Sequence, residues 1–226
     1  MSEIILEEIW GKIRLLMKSH PWHGVPIGKD YPKIVTTYIE IVPTDTVKYE
    51  IEKHSGFLKV DRPQKYSNIC PTPYGFIPQT LCSENVAALC MKKTGREKII
   101  GDNDPLDICV VTEKTLNHSN ILLQAIPIGG LRLIDSDEAD DKIIAVMKDD
   151  AIFSKWKDIS DCSDSFIERL RHYFLTYKDA PGSEGKRCEI ESVYGIEEAF
   201  QVIEASNKDY LKKYSELNNL LNREEI

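Results

Sequence analysis

Hydrophobic positions change period three times along the chain. Ile4, Ile5, Ile9, Ile13, Leu16 and Met17 recur at helical spacing, which predicts a helix over residues 3–18. A connector rich in proline and glycine, "SHPWHGVPIGKDYP", follows. Alternation with period two then marks "TTYIEIV", "VKYEIEK" and "GFLKVDR" as successive strands, with "KHSG" turning between the last two. From Pro63 to Gly101 the pattern is irregular, and the stretch from Glu84 reads as a mobile insertion. Strand character returns at 108–111, 121–134 and 142–147. The last third reads as helical. Ser165 and Glu168 form a capping-box signature ahead of "FIERLRHYFLTYK", and a second helix covers 196–214. Short strands followed by helices predict an α+β fold, a small barrel with helices against it.

The length of 226 residues suits one domain with appendages: a helix and connector over 1–30, a barrel domain over 31–214 with an insertion at about 81–101, and a polar tail over 215–226. A net charge of −8 argues against nucleic acid or an anionic membrane as the main partner and suits a binder of cations. No apolar run reaches the roughly 18 residues of a membrane span. The N-terminus has acidic residues where a secretory signal needs basic ones. Six cysteines without C-x-x-C spacing predict reduced thiols in a cytoplasm.

Carboxylates change the picture most. Asp102, Asp104 and Asp107 stand within six residues in "GDNDPLDICVV" and run into an apolar strand. Alone, such a group is more often a polar turn. A second cluster, Asp135, Asp137, Glu138, Asp140 and Asp141, also leaves one strand and enters another. Two acidic clusters at strand ends can converge, and many hard oxygens suit Mg²⁺, Mn²⁺ or Ca²⁺. An EF-hand register from Asp102 fails, because Asp107 takes the position that requires glycine. Lys48, Arg62, Lys142 and Lys178, with Tyr74 and Tyr177, add donors for anionic oxygens, and alternation places Lys48 with Glu50 and Tyr38 with Glu40. Carboxylates for cations beside Lys, Arg and Tyr donors are what a small polyphosphate with bound divalent ions requires. Nucleotide-binding glycine motifs are missing, and no Ser/His or Cys/His pair has a nucleophile context. His20 and His23 beside Trp22 read as packing rather than metal-ligating residues.

"DNDPLD" resembles the D-x-D-P-x-D signature of the family I inorganic pyrophosphatases. The resemblance runs from Tyr38 to Lys178 through "YIEIVP", "VKYEIEK", "LKVDR", "YGFIP", "PIGGLRLID", the Asp140-x-Lys142 pair and "HYFLTYK", in the family's order. It implies a five-stranded OB-like β-barrel with flanking helices that hydrolyses pyrophosphate to two phosphates with Mg²⁺, for which Mn²⁺ or Zn²⁺ substitute. It further implies Asp102, Asp107, Asp140, Asp135 and Glu40 as metal residues and Asp104 as general base. Lys48, Arg62, Tyr74, Lys142, Tyr177 and Lys178 would meet substrate, with Glu50 behind them. A homo-oligomer is implied as well. Two positions depart: Cys70 stands where many bacterial members have tyrosine, and Ser136 where an acidic residue often follows Asp135. A metal-dependent phosphatase acting on another small phosphate ester is the alternative.

Overall fold

The computed structural model describes residues 18–178 and 188–217, so the expected N-terminal helix and most of the polar tail lie outside the described residues. Among the described residues, ten strands and three α-helices follow one another as β1 Val35–Ile41, β2 Val47–Ile51, β3 Leu58–Pro63, β4 Tyr74–Phe76, α1 Glu84–Thr94, β5 Ile100–Gly101, β6 Asp107–Val111, β7 Ile121–Asp135, β8 Glu138–Ala139, β9 Lys142–Met147, α2 Asp164–Thr176, β10 Cys188–Gly195 and α3 Ile196–Lys213. The architecture is a sheet-dominated α+β fold. β1 pairs with both β4 and β7, so the path β1-β4-β6-β9-β7 returns to its start. β2 and β3 form a separate hairpin. Among the described residues no helix is long and apolar enough to cross a membrane.

The central strands are apolar on both faces because both faces are covered. Ile108 and Val110 of β6, with Ile143 and Ala145 of β9, pack against Val86 and Ala87 of α1 and Val202 and Ile203 of α3. Their neighbours Cys109, Val111, Ile144 and Val146 share the opposite cluster with Leu170, Tyr173 and Phe174 of α2. Strict alternation therefore sorts each strand between two cores. Charged residues that interrupt the second face at the strand ends open onto the site.

Three expectations are corrected. The stretch expected to be a mobile insertion holds α1, whose Val86, Ala87 and Cys90 are buried. Its N-terminus gives no local signal, because Ser83 does not cap it. The cap comes from α3: the Asp209 carboxylate accepts from the backbone N–H groups of Ser83 and Asn85 at 3.0 Å and of Val86 at 3.2 Å. Asp209→Ala orphans these donors and is expected to cost about 2 kcal/mol, read as a lower urea midpoint. An unchanged midpoint would contradict the shared cap. The second correction is β10, an antiparallel partner of β7 inside the region expected to be helical. The third is the cap of α2, where the Ser163 side chain accepts from Phe166 N and Ser165 lies inside the helix.

Candidate active site

Backbone irregularities bring the charged residues to one rim. Asn103, at φ +60°, turns the chain between Asp102 and Asp104, a conformation that asparagine tolerates better than most residues. Asp107 opens β6, which runs parallel to β9 with Asp107 opposite Lys142. Ser136 and Asp137, both at positive φ, make a two-residue turn from β7 into β8 that folds Asp135 back toward Asp140. β1 bulges between Ile39 and Ile41, leaving Glu40 unpaired and re-aimed. On the β2–β3 hairpin Lys48 stands opposite Arg62. Tyr177 and Lys178 follow directly on α2.

All thirteen residues named from the sequence line one cavity of about 580 Å³: Glu40, Lys48, Glu50, Arg62, Tyr74, Asp102, Asp104, Asp107, Asp135, Asp140, Lys142, Tyr177 and Lys178. The Lys142 ammonium, its side chain only 2% exposed, bridges Asp107 and Asp140 over the Phe174 ring. The Tyr74 hydroxyl donates to Asp107, and Lys178 contacts Asp135. Glu40 accepts from the Ile51 backbone N–H at 2.6 Å, tying the bulge to the hairpin. Lys48 lies 3.2 Å from Glu50 and 2.9 Å from Asp61, which also takes Arg62 at 2.6 Å. Arg62 and Lys178 both stand over the Tyr177 ring, at 5.5 and 5.4 Å. Arg62 Nη2 is buried and has no acceptor among the described residues.

Sequence reasoning missed Asp61 and Lys53, which line the same cavity, and gave no separate role to Glu138 of the second acidic cluster, which lines it too. Asp61 adjoins Arg62 in "LKVDR", but only the hairpin register shows that it meets Lys48 from across the strand pair. The second acidic cluster also divides: Asp141 faces away from Asp140 and Lys142. There it meets fully buried Arg132 of β7, whose Nε lies 3.2 Å from Asp141 Oδ2, and the Tyr194 hydroxyl, which donates at 3.0 Å. His20 and His23 pack as expected, with the His23 ring stacked on Trp22 at 4.6 Å between centroids.

Ten carboxylates and six Lys or Arg side chains line the cavity, an excess of four negative charges when all are ionised. Among the described residues no three carboxylate, imidazole or thiol groups form a ready ligand set, because lysine ammoniums stand between the aspartates. The lysines do not satisfy all the acids. Burial, then the charge of Asp107, pushes the Glu40 carboxyl up to about 8. Burial, then Asp140, pushes Asp102 up to about 9, and burial also raises Asp140. Burial works against Asp135 too, yet contact with Lys178 holds it below the usual range. Buried carboxyls that resist ionisation mark a deficit of positive charge. This donor set of hard oxygens with excess negative charge fits divalent cations.

The sequence profile of the inorganic pyrophosphatase family matches residues 37–211, a span that includes every cavity residue named above. The chain is 53% identical over 199 residues to the inorganic pyrophosphatase of Chlamydia caviae, covering 86% of this chain and 92% of that protein. It is 50% identical over 195 residues to that of Chlamydia muridarum, covering 84% and 93%. The fold is similar to the crystal structure of an inorganic pyrophosphatase from Thermus thermophilus, with TM-score 0.70 and 26% identity over 84% of this chain and 98% of that one. With the profile spanning most of the sequence and relatives near half identical along almost their whole length, the chain belongs to the inorganic pyrophosphatase family.

Proposed function

We infer that this cavity hydrolyses pyrophosphate to two phosphates by direct attack of water, with Asp104 taking the water's proton. The observation that carries the reading is the composition of the one cavity: an excess of carboxylates for cations beside Lys, Arg and Tyr donors for phosphate oxygens. We assign Asp102, Asp107, Asp140, Asp135 and Glu40 to holding divalent cations, Mg²⁺ being the natural fit to a site meeting phosphate oxygens. When bound, such cations make water more acidic and offset charge on phosphate oxygens.

The side chains divide the remaining work. Asp104 is tied to Asp102 through its backbone N–H, at 2.9 Å from Asp102 Oδ1, so its carboxylate takes no part in that link and meets only the exposed Lys53 ammonium at the cavity mouth. The water oxygen bonds to one phosphorus, the bridging P–O bond breaks, and the proton passes to Asp104. Lys48, Arg62, Lys142 and Lys178 orient the diphosphate and stabilise charge on the leaving phosphate. The buried Nη2 of Arg62, without an acceptor among the described residues, supports that assignment. Tyr74 and Tyr177 present hydroxyls whose loss of a proton burial disfavours, so they serve as donors. Glu50 holds Lys48 in place. We read the closed pairing circuit of β1, β4, β6, β9 and β7 as the five-stranded OB-like barrel that carries these groups. With all six thiols free, we place the chain in a reducing cytoplasm.

Phosphate release from pyrophosphate, with and without Mg²⁺, tests the reading. Pyrophosphate is expected to be cleaved with Mg²⁺, phosphomonoesters far more slowly, and chelation is expected to abolish release. Equal or faster release from a phosphomonoester would favour the alternative phosphatase, and Mg²⁺-independent turnover would remove the metal assignment.

A further inference from the structure

The tip of the β2–β3 hairpin carries a cavity charge without an assigned role. Lys53 contacts Asp104 Oδ1 through its ammonium. The turn that carries it is fixed at three points. The Glu52 carboxylate accepts from Ser55 N at 2.7 Å, and Gly56 N donates to Glu52 O at 2.9 Å. A ring nitrogen of His20 lies 3.2 Å from the Lys53 carbonyl oxygen. Gly56, at φ +73°, fits so closely under the tip that an added Cβ would fall 2.9 Å from the His20 ring. The main chain thus holds Lys53 at the mouth while its long side chain stays half exposed.

That exposure sets this ion pair apart. Lys53 and Asp104 are 50% and 49% exposed, whereas Lys142 is 2% exposed and its partners Asp107 and Asp140 are 23% and 15% exposed. Solvent screens the Lys53–Asp104 pair most strongly, which makes it weak and easily exchanged. Asp104 cannot serve well as a proton acceptor while an ammonium occupies its oxygen. A diphosphate carries more negative charge than one carboxylate and presents several acceptor oxygens. We propose that Lys53 is a specificity residue for the diphosphate, moving from Asp104 to a phosphate oxygen as substrate enters, so that binding itself frees the base. This rests on the reading of Asp104 as the base.

Saturation kinetics of Lys53→Met and Lys53→Arg with pyrophosphate at fixed Mg²⁺ test the proposal, with thermal unfolding as a fold check. Lys53→Met is expected to raise KM about three- to tenfold, as suits loss of one charge-assisted contact at an exposed site, while Lys53→Arg stays within about twofold of the parent. Added salt is expected to narrow the difference. An unchanged KM in Lys53→Met overturns the proposal. So does a fall in kcat at constant KM, which would leave Lys53 on Asp104 throughout. If the methionine variant unfolds, Lys53→Gln gives the same readout. Loss of the Asp104 reading is separate, since it shows in an Asp104 variant with Lys53 intact.

Discussion

Asp104→Asn is expected to lower pyrophosphate turnover by roughly 10²–10⁴, the usual magnitude for a general base, with divalent-cation binding close to the parent's. The amide keeps the size of the carboxylate but loses its charge, and with it both the capacity to accept a proton and the exposed ion pair with Lys53. The link from residue 104 to Asp102 uses the backbone N–H, which the substitution leaves in place. Asp102, Asp107 and Asp140 keep their own contacts, so the cation-holding set is not disturbed. Turnover at saturating substrate and a calorimetric Mg²⁺ titration separate the two effects. Near-normal turnover would remove Asp104 from its role, and a large loss of Mg²⁺ affinity would move it among the metal residues.

Gly75→Ala is expected to be the most damaging single substitution for the fold. Gly75 lies on β4 directly opposite Ile39 of β1, where an added Cβ would fall 1.9 Å from the Tyr38 carbonyl oxygen and 2.9 Å from Ile39 Cα. Both are backbone atoms, so no flexible side chain can yield. Relief requires β1 and β4 to part beside the bulge that aims Glu40, and beside Tyr74, which donates to Asp107. We expect a loss above about 4 kcal/mol, and hence a melting temperature lower by at least about 8 °C at this chain length. A small shift would show that the β1–β4 approach is looser than described.

The site was more legible in the sequence than parts of the fold. Charged residues at the ends of apolar strands have few structural reasons to be there, so Asp107, Asp135, Asp140 and Lys142 stand out against "ICVV", "LRLI" and "IIAV". What escaped depends on contacts distant in sequence. Helix α1 takes its cap from Asp209, more than a hundred residues later, and so lacks a local start signal. Strand β10 alternates as "CEIESVY" but is only partly buried at a sheet edge, which blurs its pattern. Asp61 joins the cavity through the β2–β3 pairing and Lys53 through the turn at its tip, neither of which spacing reveals. Ser163 and Ser165 are equivalent as letters; the extended backbone at Ser163 decides between them.

The two adjacent aspartates of the β8–β9 corner have one more consequence. Displacing β9 by a single residue would exchange its faces, sending Asp141 into the polar cavity and Asp140 toward the apolar helices. Arg132 would then lose its buried carboxylate partner and keep only the more exposed Glu198, 3.1 Å from its Nη2, and breaking a buried ion pair is severely penalised. The inward salt bridge therefore works as a key for strand alignment, guarding the outward cluster without touching any substrate.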